Sequence, residues 1–353
     1  MTEITRVLLV GAGHMGTSHG RAYAAIDGFD LCGVVTRGES GARLARELEV
    51  PHHRDFDAAL AATRPDAVGI ASFTDTHVPF ATAALEAGCH VFVEKPLAAD
   101  VSAARALVDL ANDRSRVIAV GYILRHHPSW QRFVTLAHDL GKPLVMRMNL
   151  NQQSSGPEWA THRSIMSTTS PIVDCGVHYV DVMSQMTNAK AVRVSAIGAR
   201  LTDDIAPDMY NYGQLQITFD DGSVGWYEAG WGPMISETAY FVKDVFGPLG
   251  AISIEADAGD SASADVDRHT ATDAIRIHRS RMRDDGSLAE ADELITTGDE
   301  PDHDELCRRE QEWFLDAIHG RVDVGRHLDE VIQSLEIVVA ADESVRTGRT
   351  VEI

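Results

Sequence analysis

Apolar and polar positions alternate in a regular way along the first part of the chain. Val7–Val10 is a continuous apolar run that ends at a glycine, as expected for a strand buried on both faces of a sheet. Amphipathic stretches separate this run from later short apolar runs, so the pattern predicts βαβ units around a parallel sheet. The predicted strands are Val7–Val10, Leu31–Thr36, Asp66–Ala71, His90–Val93 and Val117–Val120, and the predicted helices are Gly16–Ala25, Gly41–Glu49, His77–Ala87 and Val101–Asn112.

The pattern changes after residue 122, where strand-like segments follow one another with little helix between them. Successive strands without crossover helices imply an antiparallel or mixed sheet, hence a second domain over 123–353 after a first domain over 1–122. The predicted strands are Leu144–Leu150, Val192–Ala199, Tyr212–Phe219 and Val224–Ala229. The polar stretches Glu255–Asp267 and Arg281–Glu300 are predicted as loops or hairpin edges, and His303–His319 and Leu328–Thr347 as closing helices.

Composition excludes several classes of protein. The 353 residues carry a net charge of −22, which argues against a nucleic-acid binder with a basic face. No apolar run reaches the roughly 18 residues that span a bilayer, so we expect no membrane segment. The N-terminus lacks the basic region and cleavage site of a signal peptide. The four cysteines show no C-x-x-C spacing, so a reducing cytoplasm fits best.

A glycine motif, G-x-G-x-x-G, follows the first predicted strand and opens the first predicted helix. It reads Gly11, Gly13 and Gly16, with His14 and Met15 inside it. The first glycine permits a tight turn, the second lets a pyrophosphate approach the backbone, and the third lets helix and strand pack closely. The helix N-terminus then offers N–H groups to the phosphates, so we expect a dinucleotide cofactor.

The choice between NAD and NADP is expected at the end of the second strand. An acidic residue there would bind the ribose 2′-hydroxyl of NAD, but this chain has Thr36 and Arg37. A guanidinium suits a 2′-phosphate, so the sequence favours NADP over NAD. Arg37 stacked on adenine, the alternative, would serve either cofactor.

Two further groups carry candidate chemistry. Lys95 lies just beyond the fourth predicted strand, at the sheet edge where open α/β sheets bind ligands. Asp174, His178 and Asp181 are spaced to share one face of a helix. A histidine with a carboxylate one turn away is a good general base. A structural role for both groups stays open, and a metal is less attractive because no further His or Cys lies at ligand spacing nearby.

Together these segments resemble the Gfo/Idh/MocA family of NAD(P)-dependent oxidoreductases. The motifs Gly11–Gly16, Glu86–Leu97 and Asp174–Asp181 occur in family order and at family spacing, and Asp342–Gly348 also looks like the family. The resemblance implies an α/β fold: an N-terminal Rossmann domain with a doubly wound parallel sheet, and a C-terminal α/β domain with a large, mostly antiparallel sheet. That sheet commonly builds a homodimer or homotetramer.

The resemblance also implies roles for individual residues. Lys95, Asp174 and His178 would be catalytic, with His178 taking a proton from a substrate hydroxyl while Lys95 holds the oxygen. The implied substrate is a sugar, inositol or related polyol, contacted by these three residues and by Arg125, Trp159 and His162, the last two in the loop before the catalytic helix. Implied cofactor contacts are Gly11, Gly13, His14, Met15, Gly16, Thr36, Arg37, Ser72, Thr74, His77, Glu94 and Lys95.

The chain departs from the family at three places, one of which is the missing acidic residue of NAD enzymes at the end of the second predicted strand. Ser72 to Thr76 stand where the family usually has Thr-Pro, and Ser170-Pro171 stand where it often has a glycine pair, which changes the start of the catalytic helix. Two alternative functions stay open within the same fold. One is an NAD-dependent glycosidase that acts by transient oxidation, and the other is a catalytically silent nucleotide- or sugar-sensing protein.

Overall fold

The computed structural model describes residues 4–236, 242–256, 270–298 and 300–353. The chain divides into two compact units, Met1–His126 with Pro301–Ile332, and His127–Glu300 with Gln333–Ile353. The sequence prediction assigned every residue after 122 to the second domain. Pro301–Ile332 instead packs with the first unit, because Phe314 and Trp313 from this segment join its apolar core.

The first unit contains a parallel sheet, which confirms the predicted fold class. Its strands are β1 (Thr5–Val10), β2 (Phe29–Val35), β3 (His52–His53), β4 (Ala67–Ile70), β5 (His90–Glu94) and β6 (Ile118–Gly121). They are ordered β3-β2-β1-β4-β5-β6, as in dinucleotide-binding Rossmann sheets. Only β3 was not predicted, since its two residues are too few to form a pattern.

Eleven α-helices lie in the part of the chain that the structure describes. They are α1 (His14–Ala25), α2 (Glu39–Glu47), α3 (Phe56–Thr63), α4 (His77–Glu86), α5 (Val101–Asp113), α6 (Pro128–His138), α7 (Gly156–Ile165), α8 (Pro171–Asp174), α9 (Gly176–Thr187), α10 (His303–Ile318) and α11 (Gly325–Thr347). Short 3₁₀ helices cover Thr74–Thr76 and Ile123–His126. None of the helices within the described ranges is long and apolar enough to cross a membrane.

The core of the first unit lies between the sheet and its helices. Val7 and Leu9 of β1 are fully buried, and the rings of Tyr23, Phe92 and Phe314 pack in the same cluster. Because Tyr23 belongs to α1 and Phe314 to α10, this cluster joins both helices to the strands that end at the glycine motif and at Lys95.

The second unit contains a large, mostly antiparallel sheet, as the resemblance implied. Its strands are β7 (Val145–Gln153), β8 (Ala191–Ala199), β9 (Tyr212–Phe219), β10 (Val224–Gly232), β11 (Lys243–Gly247), β12 (Gly250–Glu255), β13 (Ala274–Arg279), β14 (Glu293–Thr296) and β15 (Val351–Glu352). The order is β14-β13-β12-β11-β7-β10-β9-β8-β15. Among the described strands, β7 and β10 are paired in parallel and the other neighbours antiparallel.

The polar part of the chain between residues 243 and 296 contains more β-strands than the sequence pattern predicts. Arg281–Glu300 includes the edge strand β14, in agreement with a hairpin edge. Most of the predicted loop Glu255–Asp267 lies outside the described residues. The strands β11, β12 and β13 were not predicted, because each is short and one face of each carries polar side chains.

Candidate functional site

The glycine motif after β1 forms a backbone cradle. Gly11 has a φ of +102°, and a Cβ at this position would lie 2.0 Å from the carbonyl oxygen of Ala71. A Cβ at Gly16 would lie 2.6 Å from the carbonyl oxygen of Gly11, whereas a Cβ at Gly13 would meet no atom within 4 Å. Gly11 and Gly16 are therefore needed for the turn and for packing, and Gly13 faces open space.

The cradle opens directly into α1, whose N-cap residue is Gly13. A glycine supplies no side-chain acceptor for the first helical N–H groups, which leaves them to an anionic ligand. His14 is exposed, with its ring 5.1 Å from the ring of His303, and Met15 is half-buried. These features fit the pyrophosphate of a dinucleotide, which needs close approach to the backbone.

The end of β2 presents a hydroxyl and a guanidinium, as predicted. The Thr36 hydroxyl accepts a hydrogen bond from the Gly38 amide at 3.3 Å, and the Thr36 carbonyl lies 2.9 Å from Nε2 of His52. Arg37 is exposed. Glu39, the first residue of α2, is also exposed and forms a 3.8 Å ion pair with Arg54.

The residues after β4 divide into two kinds. Ser72 and Thr74 are half-buried, and the Ser72 hydroxyl lies 2.6 Å from the hydroxyl of Thr76. His77 is only 1% exposed; its Nδ1 lies 2.8 Å from the Pro96 carbonyl and its Nε2 lies 3.1 Å from the Ser72 carbonyl. Burial lowers the pKa of His77. The expected cofactor contact at His77 therefore does not involve its imidazole, which faces protein carbonyl groups.

The end of β5 holds Lys95 beside a buried carboxylate. Glu94 is 5% exposed, and its Oε1 lies 2.6 Å from Nε2 of His19. The backbone amide of Lys95 donates to the other oxygen of Glu94 at 3.2 Å, and Lys95 itself is half-buried. The resemblance implied a cofactor contact at Glu94, but the Glu94 side chain points into the unit because it pairs with His19.

Arg125, an implied substrate contact, lies in the 3₁₀ helix after β6. Its guanidinium forms a 2.7 Å ion pair with Glu330 of α11, and both side chains are about 15% exposed or less. The guanidinium also lies 5.7 Å from the centroid of the Tyr122 ring. The charge of Arg125 is thus largely matched within the first unit.

In the second unit, Asp174 and His178 lie on two helices rather than one. The prediction of a single helix is wrong: α8 ends at Asp174 and α9 begins at Gly176, with Cys175 between them. The ring of Tyr227 packs against the break, since a Cβ at Gly176 would lie 2.9 Å from this ring. Asp174 and His178 are both half-buried.

Asp181 does not share their environment. It is 1% exposed and accepts hydrogen bonds from Gln185 at 2.9 Å and from the Ser334 hydroxyl at 3.4 Å. Its carboxylate therefore joins α9 to α11, and Asp174, His178 and Asp181 do not share one face of a single helix as predicted.

Trp159 and His162 lie in α7, which the sequence prediction described as a loop. Trp159 is buried, and its indole N–H donates to Asp204 at 3.3 Å. The ring of His162 stacks on Trp231 at 4.4 Å with an interplanar angle of 7°. Nδ1 of His162 lies 2.9 Å from the Ser154 hydroxyl. Burial lowers the pKa of His162 to about 4, and the nearby Asp174 carboxylate opposes this effect.

Sequence reasoning missed the residues that orient His162. Trp231 donates its indole N–H to Gln152 at 2.7 Å, and these two residues are register partners of the parallel strands β10 and β7. Ser154 follows β7 directly. Parallel strands bring their carboxyl ends to one sheet edge, so recognising β7 and β10 as a parallel pair would have placed these side chains together. The arrangement presents a neutral imidazole near a carboxylate, which suits hydrogen bonding to hydroxyl groups.

One group of three metal-capable side chains occurs among the described residues: His19, Cys307 and Glu310, whose donor atoms lie within 4.8 Å of one another. Both ring nitrogens of His19 already lie at hydrogen-bond distance from Glu94 and Gln311. His19 is therefore part of a buried hydrogen-bond network in the first unit, whereas both carboxyl oxygens of Glu310 are buried without a hydrogen-bond partner among the described residues.

Comparison with known proteins identifies the family. "Oxidoreductase family, NAD-binding Rossmann fold" matches residues 5–122, and "GFO/IDH/MocA C-terminal domain" matches residues 134–242. UDP-N-acetylglucosamine 3-dehydrogenase of Acidithiobacillus ferrooxidans is 33% identical over 202 residues, which are 57% of this chain and 60% of that enzyme. Scyllo-inositol 2-dehydrogenase (NAD(+)) of Bacillus subtilis is 25% identical over 100% of this chain and 97% of its own length.

The fold is similar to that of a solved relative over nearly the whole chain. The solved structure of UDP-N-acetylglucosamine 3-dehydrogenase GnnA from Acidithiobacillus ferrooxidans has a TM-score of 0.75 at 25% identity, with 97% of this chain and 98% of that chain covered. The two family matches together span more than half of the sequence, and they fall on the glycine cradle and on the unit that carries Asp174 and His178. This chain therefore belongs to the Gfo/Idh/MocA family of oxidoreductases.

Proposed function

We propose that this protein transfers a hydride between NADP or NAD and a secondary hydroxyl or carbonyl group of a sugar, inositol or related polyol. The observation that carries the proposal is the glycine cradle at the start of α1, which fits a pyrophosphate and lies in the Rossmann unit of an oxidoreductase family. The relatives named above act on a nucleotide sugar and on an inositol, which supports a substrate rich in hydroxyl groups.

Three side chains are proposed as the catalytic residues, on the strength of the family motifs. When bound, the nicotinamide cofactor accepts or supplies the hydride. His178 takes the proton from the substrate hydroxyl, because an imidazole near a carboxylate is a good general base. Lys95 holds the same oxygen as negative charge develops on it, and Asp174 binds an adjacent hydroxyl and stabilises protonated His178.

Substrate and cofactor specificity are assigned to residues outside this trio. His162 supplies a neutral imidazole to a substrate hydroxyl, supported by its fixed orientation between Trp231 and Ser154. Trp159 and Arg125 complete the substrate contacts. Thr36 and Arg37 favour NADP over NAD, because an exposed guanidinium at the end of β2 suits a 2′-phosphate.

We further propose that the protein is a homodimer or homotetramer through the large sheet and that it works in the cytoplasm. The exposed side chains of Val145, Val224 and Phe246 are register partners on β7, β10 and β11, so they form one apolar row on one face of the sheet. The four cysteines are free and buried, in agreement with a reducing compartment.

The experiment that tests the function is a screen of polyols and aldoses with each cofactor, read at the nicotinamide absorbance. Replacing Lys95 by Ala should lower the rate about 10²- to 10⁴-fold, because proton transfer and charge stabilisation both depend on it. Lys190→Ala, an exposed lysine of the second unit, is the matched control and should leave the rate unchanged. An undiminished rate in Lys95→Ala contradicts the proposal, and glycone release without net cofactor turnover favours a glycosidase.

A further inference from the structure

Two buried histidines bracket the segment Glu94–Pro96 at the carboxyl end of β5. His19 lies on α1 and His77 begins α4, and each is 1% exposed. One imidazole bonds to the side chain of Glu94 and the other to the backbone carbonyl of Pro96. Lys95 stands between these two anchors, so both contacts act on the backbone that carries it.

On the His19 side, a series of hydrogen bonds connects Gln311, His19 and Glu94 to the backbone amide of Lys95. Nε2 of the Gln311 amide lies 3.0 Å from Nδ1 of His19. A carboxylate can only accept, so the contact with Glu94 places a ring proton on Nε2 of His19. Nε2 then donates to Glu94 Oε1 at 2.6 Å, and Glu94 Oε2 accepts from the backbone amide of Lys95. Gln311 and Glu94 therefore contact opposite nitrogens of the His19 ring, which fixes the orientation of the imidazole.

A buried carboxyl group, that of Glu310, lies beside this network, and its burial lowers the stability of the fold. Glu310 is 1% exposed, both its carboxyl oxygens are buried, and burial together with the charge of Glu94 raises its pKa well above the ordinary value. Burying polar and charged groups destabilises a core that apolar side chains could fill. A costly network in contact with Lys95 is better explained by a functional need than by stability alone.

On the other side, His77 connects two strand ends. Its Nδ1 lies 2.8 Å from the carbonyl oxygen of Pro96, and its Nε2 lies 3.1 Å from the carbonyl oxygen of Ser72 after β4. The ring thus spans from the end of β4 to the residue that follows Lys95.

We propose that His19 and His77 are positioning residues that fix the backbone on both sides of Lys95. This inference rests on the proposed function, in which the Lys95 ammonium must meet the substrate oxygen. A lysine has a flexible four-carbon stem, so the location of its Cα and the direction of its Cα–Cβ bond decide which positions the ammonium can reach. A displacement of about 1 Å at a catalytic group lowers a rate by about 10²-fold.

Paired substitutions separate positioning from general packing. His19→Gln keeps an N–H donor near the place of Nε2, whereas His19→Leu removes it. Likewise, His77→Asn keeps a donor near the place of Nδ1, whereas His77→Leu removes it. We expect each Leu variant to lose about 10- to 100-fold in kcat with cofactor affinity unchanged within about twofold, and each amide variant to recover most of the loss.

Matched controls come from apolar residues of α10, which carries Gln311, and of α4, which carries His77. Leu315→Ala weakens the packing of α10 against Ala22 of α1 and against Ile26, which follows that helix. Leu85→Ala removes a buried side chain of α4, and neither Leu315 nor Leu85 belongs to the network. Thermal unfolding is measured for all variants. If Leu315→Ala and Leu85→Ala lower kcat as much as the histidine variants at equal loss of stability, the proposal is overturned. Failure of the amide variants to recover kcat overturns it as well.

A second readout needs no substrate, so it separates this proposal from the proposed function. We expect the hydrogen bond to Glu94 to protect the Lys95 amide from hydrogen exchange. Exchange at Lys95 should then accelerate at least tenfold in His19→Leu, compared with Leu315→Ala. Equal exchange in these two variants contradicts the positioning role of His19. If exchange accelerates but Lys95→Ala retains full activity, the positioning holds and the proposed role of Lys95 fails.

Discussion

Arg37 is the residue from which we predict the cofactor preference. Its exposed guanidinium follows β2, where a charge-assisted bond to the 2′-phosphate of NADP would contribute about 1.5–3 kcal/mol, or roughly 10- to 150-fold in affinity. We expect Arg37→Ala to raise the KM for NADP by about this factor while the KM for NAD changes less than about twofold. Steady-state kinetics with both cofactors measures the difference.

The control for Arg37 is Arg43→Ala, which removes another exposed arginine from the neighbouring helix α2. This variant should leave both KM values unchanged. If Arg37→Ala weakens NAD and NADP equally, the guanidinium contacts a part that the two cofactors share, as in stacking on adenine, and the predicted preference for NADP is wrong.

At the residue scale, the sequence predicts where a residue lies in the fold better than it predicts where the side chain of that residue points. The positions of Gly11, Gly16 and Lys95 at strand ends follow from the motif and from the alternation of strands and helices. The direction in which the Glu94 side chain points does not follow from the motif. It depends on His19, which lies 75 residues earlier, and on packing that no local pattern encodes. The same holds for His77, whose buried ring faces the Pro96 carbonyl.

At the scale of elements, the short helix α8 is held by its first residues. The Ser170 hydroxyl accepts from the Val173 amide at 3.2 Å and donates to Asp342 at 2.7 Å, and the hydroxyl of Tyr210 also bonds to Asp342. Ser170-Pro171, noted as a departure from the family, thus forms an N-cap followed by a proline that suits the first helical turn.

We expect Ser170→Ala to lower the free energy of unfolding by about 1–2 kcal/mol, the usual cost of removing a capping side chain. Since Asp174 ends the same helix, kcat should fall as well. Denaturant titration and polyol oxidation measure the two effects. Ser167→Ala, at an exposed serine just before the helix, should change the free energy of unfolding by less than about 0.5 kcal/mol. Equal effects of both substitutions would exclude a capping role.

The sequence predicts helices and strands that have a strong pattern of apolar residues. It does not predict features that depend on packing against residues distant in the sequence. The buried strands of the first sheet read as apolar runs, and β9 was predicted with its observed ends, Tyr212 and Phe219. The sequence of helix α7 predicts a loop because it is mainly polar, and Trp159 is the one buried residue of this helix. The break at Cys175 also escaped prediction, since it depends on the ring of Tyr227 from β10.

At the scale of the whole molecule, buried histidines make stability depend on pH. Burial, with the charge of Arg116, lowers the pKa of His90 from 6.5 to about 4, and Nδ1 of His90 accepts the Val117 amide. Between these pH values the unfolded chain binds more protons than the native one, so the free energy of unfolding falls as pH drops below 6.5. His126 and His162 have pKa values lowered to about 4 in the same way.

For His90 alone, the expected loss on going from pH 7 to pH 5 is about 2 kcal/mol at most. His90→Asn keeps an acceptor near the place of Nδ1 but does not titrate, so denaturant midpoints measured across this range should fall less steeply. His138→Asn, at an exposed histidine, should keep the slope of the unsubstituted protein. An unchanged slope in His90→Asn would show that His90 does not contribute to acid sensitivity.

The last prediction concerns assembly through the large sheet. Val145 lies between Val224 and Phe246 in the register of β10, β7 and β11, and these three side chains are 36–40% exposed in the isolated chain. Ile197 on β8 is 62% exposed. A row of apolar side chains on a sheet face is stabilised when a second copy covers it, because apolar area leaves water.

We therefore expect the protein to sediment as a dimer or tetramer at micromolar concentration and Val145→Glu to shift it towards monomer, since a carboxylate in an apolar interface is costly to desolvate. Leu201→Glu places the same charge at an apolar residue of the same unit that is 50% exposed but lies outside the strands. This control should keep the assembly intact. A monomeric unsubstituted protein, or equal dissociation of both variants, would mean that this face is not the interface.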